Sequence, residues 1–336
     1  MKKIAIAGLG TVGGGVARLL TDNRKVLMNN ADEEITLGAV LVRSIKTDSE
    51  YAHLMTTDFS DIENDPSISI VVEAIGGVDA PFEIACRALK AGKAFITANK
   101  ALVAEKGDIL HALAKENNVP FLFEAACGGG MPIIRPIRTC LTSTDINYVY
   151  GILNATSNFI LSEMDKGSTY DEAVKEAQVR GYAEADPSAD VDGIDSVRKL
   201  SIILSMITGK KANPDDIRTV GITKLKDTCG GRVKLLARAS INDGKVCAEV
   251  SPVLLPEGDV LTCVPSDRNG IVVRGAGSME TAYFGVGAGA IPTASAILAD
   301  VVEAVKRPEY SGECAWTGEK LVISPWQDDS LPEYRS

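Results

Sequence analysis

Short apolar runs alternate with longer helical patterns along residues 1–125 of this 336-residue chain. Strand patterns separated by helices of about a dozen residues are typical of βαβ units, which build a parallel sheet. The predicted strands are Ile4–Ala7, Ile35–Val42, Ile68–Glu73, Ala94–Thr97 and Pro120–Glu124. The predicted helices between them are Gly13–Leu20, Pro81–Ala91 and Ala101–Asn117. This alternation predicts a doubly wound α/β domain.

A glycine motif, GLGTVG at residues 8–13, follows the first predicted strand and opens the first predicted helix. In such a turn Gly8 allows the tight bend, Gly10 lets the backbone approach a pyrophosphate, and Gly13 allows close packing of helix and strand. The pyrophosphate is then expected at the helix N-terminus, where backbone N–H groups favour anions. In this context the motif predicts a dinucleotide site, with a plain glycine-rich turn as the alternative.

The second predicted strand is followed directly by Arg43, and Lys46 comes shortly after it. A strictly NAD-dependent domain carries an Asp or Glu near this point, which binds the ribose 2′-hydroxyl. The planar guanidinium of Arg43 instead suits a 2′-phosphate. We therefore expect NADP, or use of both NADP and NAD, while a solvated surface arginine is the alternative.

The pattern changes near Gly128, beyond which residues 155–207 are helix-rich with a polar loop at 181–192. Turn residues at 242–244 join two strand patterns, and a second hairpin and a last helix follow. These predicted elements are Val233–Ile241, Lys245–Leu255, Ile271–Arg274, Thr281–Phe284 and Pro292–Val305. This part of the chain is therefore predicted to be α+β with an antiparallel sheet.

The charge and the cysteine content limit the classes of binding partner and the cellular compartment that this chain suits. Lys and Arg total 35 against 45 Asp and Glu, a formal net charge of −10, which argues against nucleic acid or an anionic membrane as the main partner. No apolar run approaches the roughly 18 residues of a membrane span. The seven cysteines include no CxxC pair, which indicates free thiols in a reducing compartment. We expect a cytoplasmic protein that acts on a small molecule.

Only two histidines are present, His53 and His111, so proton transfer has to rely on other side chains. Lys100 directly follows the fourth predicted strand, at the sheet edge where open parallel sheets bind ligands; a surface lysine at a helix start is the alternative. Asp195 and Lys199 are four residues apart on a predicted helix and share one face. Their alternative is an exposed ion pair worth a few tenths of a kcal/mol.

An acidic segment precedes that helix and contains Glu184, Asp186, Asp190 and Asp192. Such a carboxylate cluster suits an ammonium group on a substrate, and a metal loop is the alternative. Cys127 lies in a segment that ends in a glycine triplet, and a buried thiol is favoured there over a nucleophile. Residues 154–158 form a polar helix start, for which an N-cap is the simple interpretation.

Six segments of the chain carry motifs of one enzyme family. They are GLGTVGGGV (8–16), TANKALVA (97–104), FEAACGGGMP (123–132), GILNATSNFIL (151–161), GYAEADPSADVDGIDSVRK (181–199) and GVGAGAIPTASAILAD (285–300). Across nearly the whole chain these segments resemble homoserine dehydrogenases, and the third to fifth are specific to that family. The resemblance implies a Rossmann-type dinucleotide domain of residues 1–132 and 285–336, and a substrate-binding and dimerisation domain of residues 133–284.

The same resemblance implies an activity and its cofactors. Homoserine dehydrogenases reduce L-aspartate 4-semialdehyde to L-homoserine with NAD(P)H, in the biosynthesis of threonine and methionine. The family also implies a homodimer and a monovalent cation, usually sodium. Because many members continue into a regulatory domain, whereas this sequence ends at Ser336, the expectation is a short form without that domain.

The resemblance, together with the glycine motif and the basic residues after the second strand described above, assigns roles to individual residues. The catalytic set is Lys199, Lys100 and Asp195. The substrate set is Glu184, Asp190, Gly181 and Thr156. The cofactor set is Gly8, Gly10, Thr11, Val12, Gly13, Arg43, Lys46, Ala74, Lys100 and Gly289. The cation set is the backbone of Glu124, Cys127 and Gly129.

Two other functions remain open at this point. Another NAD(P)-dependent amino-acid dehydrogenase would lack the pattern at residues 181–199 and would favour a histidine at the reacting centre. A non-catalytic NAD(P)-binding sensor would be favoured by loss of Lys100 or Lys199, and both lysines are present. Residues 308–336, with Trp316 and Trp326, match no motif, and their role is left open.

Overall fold

The computed structural model describes residues 1–309, 316–327 and 334. The strands are β1 (Lys2–Ala7), β2 (Ile35–Leu41), β3 (Met55–Thr56), β4 (Ile68–Glu73), β5 (Ala94–Thr97), β6 (Phe121–Leu122), β7 (Ile146–Ile152), β8 (Arg218–Thr219), β9 (Val233–Asn242), β10 (Lys245–Leu254), β11 (Asn269–Gly275), β12 (Met279–Gly285) and β13 (Ile323–Ser324). The α-helices are α1 (Thr11–Asp22), α2 (Arg24–Ala31), α3 (Ser60–Glu63), α4 (Asp79–Lys90), α5 (Lys100–Glu116), α6 (Ala125–Gly128), α7 (Ala155–Asp165), α8 (Tyr170–Val179), α9 (Ser188–Val191), α10 (Ile194–Thr208) and α11 (Ala290–Lys306).

The chain forms two compact units. The first contains residues 1–130 and 288–318, and the second contains residues 131–287 and 319–336. The boundaries differ from the predicted domains mainly at the C-terminal end. Residues 319–327 lie in the second unit, where β13 pairs with β10, whereas the sequence placed all of residues 285–336 in the dinucleotide domain. Residues 310–315, 328–333 and 335–336 of that predicted segment, Cys314 among them, lie outside the described residues.

The first unit is a six-stranded sheet in the order β3-β2-β1-β4-β5-β6, and every neighbouring pair is parallel. Strands β1, β4 and β5 are mostly buried because helices cover both faces of the sheet, which explains their nearly continuous apolar runs in the sequence. Strand order reverses beside β1, so the carboxyl ends of β1 and β4 border the crevice where such sheets bind ligands. The predicted doubly wound α/β fold is confirmed.

Helix α11 returns to the first unit and packs against α1. The contact is close at Gly15, where an added Cβ would lie 2.9 Å from the Ala290 carbonyl oxygen. Ile297, Leu298 and Val301 of α11 join the core formed by β1, β4 and α1. Trp316 is buried in the same unit and meets the Phe123 ring edge-on at 6.0 Å, which gives this unmatched tryptophan a core-packing role.

The second unit is a seven-stranded sheet. Six strands follow the order β12-β11-β7-β9-β10-β13, and β8 pairs with β10. The predicted hairpin between β9 and β10 is present, and its turn residues Asp243 and Gly244 both have positive φ, as expected for a two-residue hairpin turn. Trp326 lies 4.4 Å from the guanidinium of buried Arg238. The α+β prediction with an antiparallel sheet is confirmed for this unit, with β8 and β13 added in parallel.

Strand β7 occupies the middle of this sheet and was missing from the predicted elements. Every second residue, Tyr148, Tyr150 and Ile152, belongs to the same hydrophobic core. Gly151 lets the β11 backbone approach, since a Cβ there would lie 2.6 Å from the Gly270 carbonyl oxygen. Tyrosine and glycine weaken the apolar signal of the segment, and its partners come more than eighty residues later. The strand therefore depends on non-local pairing.

None of the helices in the described part of the chain combines the length and the apolar composition that crossing a membrane requires.

Candidate active site

The turn after β1, residues 8–13, forms a concave backbone surface in which three of the six residues are glycine. We call this surface the glycine cradle. Gly8 has φ +96°, and a Cβ on it would lie 2.7 Å from the Ala74 carbonyl oxygen at the end of β4. A Cβ on Gly13 would lie 1.9 Å from the Gly8 carbonyl oxygen, whereas Gly10 faces open space. Two glycines are therefore required by packing, and the third leaves the backbone open to a ligand.

The N-terminus of α1 completes this cradle. The helix begins at Thr11 after Gly10 as N-cap, and its first turn holds no acidic residue. Thr11 is exposed and Val12 half-buried, so the backbone N–H groups of the first turn are oriented for an anion in the positive end of the helix dipole. This arrangement fits the pyrophosphate of a dinucleotide.

Arg43 and Lys46 lie in the loop after β2, and both side chains are exposed. Within the described residues, the Arg43 guanidinium has no ion-pair or hydrogen-bond partner. An exposed arginine at the end of the second strand is available for a 2′-phosphate.

Buried polar groups fix the loops after β4 and β5. The Glu73 carboxylate accepts hydrogen bonds from the backbone N–H groups of Ile75 (2.7 Å) and Gly76 (3.1 Å) and from the Thr97 hydroxyl (2.5 Å). The Asn99 side chain then caps α5, because its Oδ1 accepts from the Leu102 N–H at 3.1 Å. These bonds position half-buried Lys100 as the first residue of α5.

A buried ion pair lies in the second unit. Lys199 Nζ donates to Asp195 Oδ2 at 2.7 Å, and the two side chains are 8% and 4% exposed. Lys199 Nζ also donates to the Leu153 carbonyl at 2.6 Å, which also accepts from Asn269 Nδ2 at 3.1 Å. The pair is therefore no exposed surface bridge. Removing two charges from water costs several kcal/mol per ion, so a role beyond stability is indicated.

Asn154 joins this pair to the acidic segment. Its Nδ2 donates to Asp190 Oδ1 at 2.6 Å and to Asp195 Oδ2 at 2.9 Å. Its Oδ1 accepts from the Ser157 N–H at 2.7 Å and so caps α7. The sequence indicated only the cap, because contacts across 36 and 41 residues leave no local pattern. Asn269, fully buried at the start of β11, was missed for the same reason.

The other residues of the predicted substrate set lie near the start of the acidic segment. The Thr156 hydroxyl donates to the Tyr182 carbonyl at 2.8 Å. Gly181 has φ +75° and ends the turn after α8, while the Glu184 side chain is exposed and its carbonyl accepts from Gln178 at 3.2 Å. The structure thus brings Asp190, Asp195 and Lys199 together through Asn154; it records no hydrogen bond from Glu184 to this group.

The predicted cation segment is buried around α6. The Glu124 N–H donates to Asp300 Oδ2 of α11 at 2.9 Å, Cys127 is fully buried, and Gly129 has φ +58°. Gly289, also with positive φ, is the N-cap of α11. Among the residues that the structure describes, no group of three or more His, Cys, Asp and Glu side chains is arranged to hold a metal ion.

Comparisons with known proteins agree along most of the chain. A family model for the homoserine dehydrogenase NAD-binding domain matches residues 8–124, and one for homoserine dehydrogenase matches residues 132–302. The homoserine dehydrogenase of Pseudomonas aeruginosa is 40% identical over 314 residues, which cover 90% of this chain and 72% of that protein.

Solved structures agree with the sequence comparisons. A homoserine dehydrogenase from Thiobacillus denitrificans matches with a TM-score of 0.88 at 36% identity, covering 96% of this chain and 79% of that one. A hyperthermophilic archaeal homoserine dehydrogenase mutant in complex with NADPH matches with a TM-score of 0.77 at 28% identity. The match covers 90% of this chain and 98% of that one.

The parallel sheet, the glycine cradle and the matched NAD-binding domain define an oxidoreductase that uses a nicotinamide dinucleotide. The match across both units is more specific. The chain belongs to the homoserine dehydrogenase family, and the resemblance seen in the sequence motifs is confirmed.

Proposed function

We propose that the chain catalyses the reversible reduction of L-aspartate 4-semialdehyde to L-homoserine with NAD(P)H, in threonine and methionine biosynthesis. The observation that carries this proposal is the buried Lys199–Asp195 pair, held beside Asp190 within the segment that the family model matches. A buried ammonium group is a suitable acid for a carbonyl oxygen in a protein with only two histidines.

Lys199 acts on the carbonyl oxygen. Negative charge builds there as the aldehyde is reduced, and the ammonium group stabilises that charge and donates the proton. Asp195 holds Nζ in place by its 2.7 Å hydrogen bond. Lys100, the half-buried first residue of α5, is proposed as the second catalytic lysine.

The acidic segment recognises the substrate's ammonium group. Asp190 is half-buried and fixed by Asn154, while the Glu184 side chain is exposed and available to a ligand. Carboxylates at this point suit an amino acid, because a substrate with only a carboxylate would call for arginine or lysine instead. Gly181 and Thr156 support the turn that carries Glu184.

The first unit holds the cofactor, which supplies the hydride when bound. Gly8, Gly10, Thr11, Val12 and Gly13 form its pyrophosphate cradle. Ala74 borders the cradle through its carbonyl oxygen, directly after β4, and Lys100 lies at a neighbouring strand end. Gly289, the N-cap of α11, is proposed as a further cofactor contact. The archaeal homologue solved with NADPH supports a nicotinamide dinucleotide as the ligand.

Cofactor choice is expected to depend on Arg43. In Arg43→Ala the Kd for NADPH should rise about 10–100-fold while that for NADH changes little, because a charge-assisted hydrogen bond to the 2′-phosphate contributes about 1.5–3 kcal/mol. Titration of each cofactor by fluorescence measures the ratio. Lys90→Ala, which removes an exposed lysine at the end of α4, is the matched control; an unaltered NADPH-to-NADH ratio in Arg43→Ala would reject the assignment.

A monovalent cation, with sodium as the first candidate, is proposed at the backbone oxygens of Glu124, Cys127 and Gly129. The burial of this segment and its anchor to Asp300 support a fixed backbone. Turnover should be several-fold faster in sodium or potassium chloride than in tetramethylammonium chloride at equal ionic strength. Equal rates in all three salts would count against the site.

We propose a homodimer formed through the second unit. Strand β12 lies at an edge of the sheet, and most of its residues are half-buried or exposed, so it has backbone groups available for a second copy. Light scattering on the purified chain should give about twice the monomer mass. A monomer at micromolar concentration contradicts this.

We also propose a cytoplasmic location. The six described cysteines, Cys86, Cys127, Cys140, Cys229, Cys247 and Cys263, are free thiols, which suits a reducing compartment. Recovery of the native chain in a secreted fraction would contradict this proposal.

The activity is tested by mixing the chain with NADPH and L-aspartate 4-semialdehyde. Loss of NADPH absorbance with formation of homoserine is expected. Cofactor binding without turnover would instead favour a sensor. Turnover that needs an oxo acid and ammonia would favour an amine-oxidising dehydrogenase.

A further inference from the structure

We propose that Asn154 is a positioning residue that couples substrate recognition to proton transfer. One amide nitrogen donates both to Asp190 Oδ1 (2.6 Å) and to Asp195 Oδ2 (2.9 Å). Asp190 belongs to the proposed ammonium site, and Asp195 holds the proposed proton donor Lys199. The inference rests on the proposed function and adds the link between its two parts.

The orientation of this amide is determined by the backbone. Asn154 Oδ1 accepts from the Ser157 N–H at 2.7 Å as the N-cap of α7, and only a carbonyl oxygen can accept there. The NH₂ group must then face the opposite way, toward the two carboxylates, and each of its hydrogens has one acceptor. A flipped amide would lose three hydrogen bonds at once.

Burial leaves these hydrogen bonds without a solvent substitute. The Asn154 side chain is buried, as are Asp195 and Lys199, so water cannot replace a lost donor. Asp190 and Asp195 carry like charges, which the shared amide donor offsets on one side and Lys199 on the other. Displacement of one carboxylate therefore displaces the amide and with it the second carboxylate.

Substitutions of Asn154 can separate its two roles: capping α7 through Oδ1, and donating hydrogen bonds to Asp190 and Asp195 through Nδ2. Serine and aspartate cap helices about as well as asparagine, yet neither donates to two carboxylates. Asn154→Ser keeps the helix cap and removes the two hydrogen bonds to Asp190 and Asp195. Asn154→Asp keeps the cap and the shape, and it places a third carboxylate against the other two.

In Asn154→Ser we expect the KM for aspartate semialdehyde to rise and kcat to fall, with a combined loss of about 10–100-fold in kcat/KM. Asn154→Asp should lose more. The Kd for NADPH should stay within about twofold in both. Asn154→Ser should unfold at a somewhat lower temperature than the parent chain, because two carboxylate oxygens lose their amide donor, while its far-UV circular dichroism spectrum should match that of the parent chain. Thr169→Ala, which removes the capping hydroxyl of α8 in the same unit, is the matched control with unchanged kinetics.

A double-mutant cycle with Asp190→Asn tests the link itself. If Asn154 acts through Asp190 as well as Asp195, the losses in KM from Asn154→Ser and Asp190→Asn will be clearly non-additive. Parent-like kcat and KM in Asn154→Ser, or additive losses in the cycle, overturn the proposal. Absence of turnover in the parent chain would overturn the proposed function instead, so the two failures are distinguishable.

Discussion

Replacing Lys199 with alanine is expected to lower kcat by about 10²–10⁴-fold, the usual contribution of a positioned general acid. It should also destabilise the chain by about 3–5 kcal/mol, because Asp195 would remain as a buried charge without its ammonium partner. Steady-state assays and urea unfolding measure the two effects separately.

Lys199→Arg separates catalysis from folding. The guanidinium keeps the positive charge beside Asp195, but it holds its proton too tightly to donate it near neutral pH. We expect most of the stability to return while kcat remains low. Full activity in the arginine variant would show that the charge, and not proton transfer, is what catalysis needs.

Lys166→Ala is the matched control for the lysine. This residue lies just past α7 in the same unit and pairs with Glu163 at 2.7 Å, but its side chain is 65% exposed. An exposed pair contributes about 0–1 kcal/mol. Neither kcat nor stability should change noticeably, so a large effect at Lys199 reports its burial and not its charge pairing alone.

Gly13→Ala is expected to abolish NADPH binding and to cost at least about 1–3 kcal/mol of stability. The added methyl group would lie 1.9 Å from the Gly8 carbonyl oxygen and 3.2 Å from Ile6 Cγ2. The turn or the helix must therefore move, and the pyrophosphate cradle is lost. Calorimetric titration with NADPH and thermal unfolding give the two readouts.

The neighbouring glycine provides the comparison. A Cβ on Gly14 meets no atom within 4 Å, and alanine is favoured over glycine inside a helix by about 1 kcal/mol. Gly14→Ala should therefore keep or raise the melting temperature. Parent-like NADPH affinity in Gly13→Ala would refute the packing argument, since the two variants add the same methyl group one residue apart.

Local patterns were sufficient for most of the first unit. Strands Ile68–Glu73 and Ala94–Thr97 have the predicted bounds, because a strand buried on both faces gives a continuous apolar run. The fifth predicted strand, Pro120–Glu124, is shorter than expected, with only Phe121–Leu122 paired. Helices α2 and α3 and strand β3 were not predicted, because elements of eight residues or fewer are too short for a clear periodic pattern.

The sequence by itself determined the glycine cradle, the alternation of strands and helices, and the four-residue spacing of Asp195 and Lys199. These features depend on neighbouring residues and therefore leave a local pattern. The tertiary structure alone decided that the Asp195–Lys199 pair is buried and that Asn154 joins it to Asp190. Burial and hydrogen bonds across 36 and 41 residues depend on which distant segments exclude water from the site, and no local pattern carries that information.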